Sequence, residues 1–115
     1  MGYFTGCEFG CNFVFKLNKM DLAQLITNAN ATIVDVRTPA EFAGGHVVGS
    51  INIPIQEVPN RVEEIKTLSR PLILCCASGH RSGQAEYFLS KQGLEQVYNG
   101  GSWLDVNYFS QKQKI

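Results

Sequence analysis

The chain has 115 residues, enough for one domain around one core. Its 44% hydrophobic and 17% charged residues suit a globular protein, and ten Lys and Arg balance ten Asp and Glu. A net charge of zero favours neither nucleic acid nor a membrane surface as partner, and no apolar run approaches the ~20 residues that cross a bilayer.

Residues 1–12 alternate glycines and aromatics with Cys7 and Cys11 and read as an N-terminal extension. Cys7 and Cys11 lack a second ligand pair at zinc spacing, so no metal site is expected there. The domain is expected over residues 13–110, with a frayed tail at 111–115. Residues 13–17 read as a first strand. Asn18 suits the N-cap of a helix whose apolar stripe is Leu22, Leu25 and Ile26. Residues 32–36, rich in β-branched side chains, predict a central strand. Pro39 then suits the first position of a short helix that Gly44 and Gly45 break.

A loop from His46 leads to a short strand at 50–53, stopped by Pro54. Residues 58–68 predict a helix with Val62, Ile65 and Leu68 on one face. Residues 72–75 are a short apolar run started by a proline, the signal of a buried strand. Residues 82–92 predict a helix on Ala85, Phe88 and Leu89, ended by Gly93. A last strand is expected at 95–98, a turn at Asn99-Gly100-Gly101, and a closing helix from Ser102 to Phe109. Strands and helices alternate, which predicts an α/β fold with a parallel sheet and helices on both faces. Sites in such sheets form at the carboxyl ends of the strands.

The most informative stretch joins the predicted strand at 72–75 to the next helix through Cys76-Ala77-Ser78-Gly79-His80-Arg81-Ser82. A strand that turns sharply into a helix gathers loop amides and the helix N-terminus around one point, which attracts anions. A thiol there ionises more easily. Cys76 is therefore the candidate nucleophile, in preference to a small buried residue ending a strand. Arg81 offers a fixed charge and a planar donor fork for an oxyanion. Cys75 points the opposite way along the strand and is expected in the core. His80 is expected on the rim, and Ser82 near the helix start has the chemistry of a cap. A second group, Asp35 and Arg37, is expected to brace the loop, with Arg37 a candidate substrate contact. Glu41, His46, Asn52 and Trp103 are read as turn and packing residues.

Four segments in order resemble the rhodanese (sulfurtransferase) family. They are Asp35-Val36-Arg37-Thr38-Pro39-Ala40-Glu41-Phe42, His46 through Pro54, the loop Cys76 to Ser82, and Gly93 followed by Gly100-Gly101-Ser102-Trp103. The resemblance implies a single-domain, three-layer rhodanese-like fold with a five-stranded parallel sheet. It implies a sulfurtransferase in which Cys76 takes sulfane sulfur from thiosulfate, a persulfide or a polysulfide as a Cys76 persulfide. A thiol or protein-cysteine acceptor then removes it, with no metal or organic cofactor. The implied substrate contacts are Ala77, Ser78, Gly79, His80, Ser82 and Arg37, with Arg81 on the donor's oxyanion and Asp35 in support. Related phosphatases and arsenate reductases carry one more loop residue, whereas four residues separate Cys76 from Arg81 here. The alternatives are a persulfide carrier or interaction module without turnover and, disfavoured by this spacing, an arsenate reductase or phosphatase of the same fold.

Adjacent Cys75 and Cys76 rarely bridge, and residues 1–12 lack the basic start and apolar run of a signal peptide. Reduced thiols in the cytoplasm are the expectation. A monomer and a homodimer both fit.

Overall fold

The computed structural model describes residues 19–112. Four parallel strands form one sheet: β1 (Thr32–Asp35), β2 (Ile51–Asn52), β3 (Leu72–Cys76) and β4 (Val97–Ser102), in the spatial order β2-β1-β3-β4. Five strands were expected. The first of these, at 13–17, and the cap at Asn18 lie outside the described residues. The helices are α1 (Lys19–Ile26), α2 (Pro39–Ala43), α3 (Val62–Lys66), α4 (His80–Lys91) and α5 (Trp103–Lys112).

Strand β3 runs through the middle, and all five of its residues, LILCC, are buried. A parallel strand covered on both faces has no polar side to present. Alternation then splits its side chains between two cores. Leu72, Leu74 and Cys76 pack with Val34, Ile65, Ala85 and Leu89 on one face. Ile73 and Cys75 pack with Ile26, Val47 and Val106 on the other. Each large apolar side chain buried in this way contributes about 1.5–3 kcal/mol.

Three expected boundaries move, each for a local reason. The helix expected at 58–68 divides into a 3-10 segment, Ile55–Arg61, and the short α3. Pro59 lies inside the first part, where its missing N–H rules out a regular α ladder. Helix α4 begins at His80 rather than at 82, with left-handed Gly79 (φ 99°) at its N-cap. A Cβ on Gly79 would come within 3.1 Å of Gly101 Cα, so the turn is built for glycine. Ser82 is consequently inside the helix and fully buried, not a cap.

The third change is the largest. Asn99, Gly100 and Gly101 are not a turn but the middle of β4. Leu74 pairs with Asn99 and Cys75 with Gly101, so Gly100 is an extra, bulged residue. A Cβ there would meet Ile73 Cγ2 at 2.8 Å and Val106 Cγ2 at 2.9 Å. The strand thus extends to Ser102, alongside Cys76.

Candidate active site

Cys76 is the last residue of β3, at the carboxyl edge of the sheet. The chain folds back over it at once. Gly79 N donates to Cys76 Sγ at 3.0 Å and Ser82 N at 3.4 Å, and Ser82 Oγ lies 3.5 Å from the sulfur. Burial raises the thiol's pKa. The Ser82 hydroxyl and the amides of Ser82, Ser78 and Gly79 outweigh that and hold it below the ordinary cysteine value. The turn therefore closes on the sulfur. Cys76 itself has 0% exposure, beneath the exposed Ala77, Ser78 and His80.

Cys75 lies on the opposite face with different surroundings. Burial, with the Asp35 charge adding to it, pushes its thiol up to about 12. One strand thus carries an ionisable thiol and an inert one in adjacent positions.

Asn99, read from the sequence as part of a turn, ties the loop down. Its Oδ1 accepts from Ser82 Oγ at 2.7 Å and from Gly101 N at 2.9 Å, and its Nδ2 donates to Gly79 O at 3.1 Å. The bulge puts it there. Nothing in the spacing of Asn99 marks this role; a polar side chain just before two glycines is an ordinary turn signal.

The arginines differ from expectation. Arg37, a candidate substrate contact, is 5% exposed and directed inward. Its Nε donates to both Asp35 carboxylate oxygens at 2.9 and 3.0 Å, and its Nη2 to Asp35 Oδ2 and Gly45 O at 2.7 Å each. The guanidinium lies 4.7 Å over the Trp103 ring. The burial of Asp35 requires such a partner, and meeting that need takes Arg37 away from solvent. Asn52 Nδ2 fixes the same turn by donating to Asp35 O and Arg37 O.

Arg81, expected to face an oxyanion, grips Glu41 instead. Nη1 meets Oε1 at 2.8 Å and Nη2 meets Oε2 at 3.1 Å. Arg81 first, then Thr38, lowers the Glu41 carboxyl to about 2. Glu41 also closes a capping box with Thr38 at the start of α2, so it fixes the turn as expected and reaches the cysteine loop besides. His46 Nδ1 lies 2.7 Å from Phe42 O, and its ring stacks on Phe42. His80 is exposed at the rim. Among the described residues no cluster of three or more His, Cys, Asp or Glu could hold a metal ion.

Residues 19–103 match the family described as "Rhodanese-like domain". The chain belongs to this family. The rhodanese-like domain is 38% identical over 85 residues to the thiosulfate sulfurtransferase GlpE of Stutzerimonas stutzeri, covering 74% of this chain and 77% of that one. It is 44% identical over 69 residues to the Bacillus subtilis protein YqhL, covering 60% of this chain. The match spans about half the length of YqhL, 54%. The rhodanese-like domain also matches the structure of a rhodanese with anions from E. coli, at 35% identity and a TM-score of 0.57, over 65% of this chain and 89% of that one.

Proposed function

We propose that this rhodanese-like domain is a sulfurtransferase that carries sulfane sulfur on Cys76, working in a reducing compartment such as the cytoplasm. The observation that supports this best is the convergence of Gly79 N and Ser82 N on one sulfur atom, with the Ser82 hydroxyl beside them at longer range. Those donors favour a thiolate before the reaction and a terminal persulfide anion after it.

In the first step the Cys76 thiolate attacks the outer sulfur of the donor. A Cys76 S–S bond forms, and the donor's own bond to that sulfur breaks with its electron pair leaving on the donor. From thiosulfate the leaving group is sulfite; from a persulfide it is a thiolate. In the second step an acceptor nucleophile, a thiolate in the cell or cyanide in the assay, attacks the outer sulfur of Cys76–S–S⁻. Cys76 departs as thiolate and the enzyme is restored. Two easier displacements replace one difficult transfer. Because Sγ is covered, a donor reaches it only as a rim side chain moves aside. Asp35 and Arg37 fix the turn after β1, through each other, Gly45 O and the Trp103 ring, and do not touch substrate.

The covered thiol and the Arg81–Glu41 pair also favour a second reading, a carrier that holds the persulfide for a protein partner without multiple turnovers. Intact mass spectrometry after thiosulfate or polysulfide treatment tests both. A gain of one sulfur that is lost in Cys76→Ser and kept in Cys75→Ser is expected. Rapid turnover with cyanide or thiols distinguishes the enzyme from the carrier. Loading that persists in Cys76→Ser rules out the assigned nucleophile.

A further inference from the structure

The cysteine loop contains one arginine, and the fold has already given it a partner. The Arg81 guanidinium is held bidentately by Glu41, at 2.8 and 3.1 Å, across the gap between α2 and the first turn of α4. The other guanidinium near the loop, Arg37, is matched in the same way by buried Asp35. Two cations meet two carboxylates, so these two pairs add no net charge beside Cys76 among the described residues. His80 stands on the rim without a salt-bridge partner among the described residues. What remains for an incoming anion is the set of loop amides.

Donors differ sharply on this point. Cys76 must carry a negative charge to attack. Thiosulfate brings two more to contact distance, and an alkyl persulfide brings one or none. With Arg81 unpaired, its charge would offset the dianion; with Glu41 attached, that attraction is largely cancelled. Resting on the sulfurtransferase reading, we infer that Glu41 is a specificity-determining residue that turns the site away from dianionic thiosulfate and toward persulfide donors. It acts through Arg81 and does not touch the reacting atoms.

Glu41 also serves the fold, because its carboxylate accepts from Thr38 N in the capping box at 2.9 Å. Glu41→Gln keeps that acceptor and the side chain's length, removes the charge, and puts an amide NH2 in place of the oxygen that accepts from Arg81 Nη2. The experiment measures the rate of Cys76 sulfur loading on the full chain by intact mass, with thiosulfate and with 2-hydroxyethyl persulfide, which carries no charge beyond its persulfide group, as the two probes. In Glu41→Gln the ratio of thiosulfate to persulfide kcat/KM is expected to rise about three- to fivefold, the effect of one exposed ion pair. The change should appear in KM for thiosulfate, and the gain should vanish in Glu41→Gln/Arg81→Gln.

If Glu41 merely braces the loop, both donors lose rate together and the ratio stays level. A level or falling ratio, or a gain that survives without Arg81, overturns the inference. If Glu41→Gln does not fold, Glu41→Ala is read in the same way, since the Thr38 hydroxyl still caps the backbone N–H of residue 41. Failure of both probes to load wild-type Cys76 is a different result. It overturns the sulfurtransferase reading itself.

Discussion

Replacing Ser82 with Ala isolates the share of its hydroxyl in ionising Cys76. A serine hydroxyl has one hydrogen to give. The oxygen lies 2.7 Å from Asn99 Oδ1 and 3.5 Å from Sγ, so the shorter contact holds the proton for most of the time. Asn99 cannot turn its amide away, because Nδ2 donates to Gly79 O while Oδ1 also accepts from Gly101 N. A well-formed hydrogen bond to a charged group contributes about 1.5–3 kcal/mol, or about one to two pKa units. A long contact whose proton is engaged elsewhere retains a fraction of this. Ser82→Ala is therefore expected to raise the Cys76 pKa only slightly, slowing its alkylation below that pKa about threefold. The assay is the pH dependence of iodoacetamide alkylation at Cys76. Peptide mass isolates that site from Cys7 and Cys11, and fragment ions that split the 75–76 bond isolate it from Cys75. A rise large enough to slow alkylation about a hundredfold would mean that the proton is aimed at the sulfur. No rise, or a fall, would remove the hydroxyl from the thiolate's support. Either result refutes the hydrogen bookkeeping.

Two further predictions concern stability. Gly100→Ala forces a methyl against Ile73 and Val106 and is expected to cost about 1–3 kcal/mol, read as a lower thermal midpoint. Cys75 gives a pH effect with a definite sign. Its folded pKa, about 12, lies above that of an ordinary thiol, so the folded state holds the proton more tightly. The resulting stability is full below the ordinary thiol range and is lost as pH rises from there toward 12. Denaturant titration at rising pH should show this decline, and Cys75→Ala should flatten it.

The sequence carried the strand and helix alternation because that signal is local. Residues 72–76 form a short, wholly apolar run, the pattern of a covered strand, residues 32–34 are rich in β-branched side chains, and Ala85 and Leu89 mark the inner face of α4 as expected. Cys76 was legible too, since a cysteine followed by glycine, arginine and a helix start is a local arrangement. The missing features depend on burial or on distant residues. Arg37 could be assigned to Asp35 only once both were known to be buried at the sheet edge. The Arg81–Glu41 pair spans forty positions, with nothing in either neighbourhood to announce the other. Asn99 depended on a bulge, and two glycines in succession read equally well as a turn.

Side chains along a strand switch sides at every residue, so the extra residue at position 100 works as a parity setting. It lets Asn99 address the loop while Gly101 and Ser102 continue in step beside Cys75 and Cys76. Delete that residue and the pleat must misplace either the amide or the strand end. The sulfur's surroundings are thus specified partly by a count of residues in a neighbouring strand, twenty-odd positions downstream.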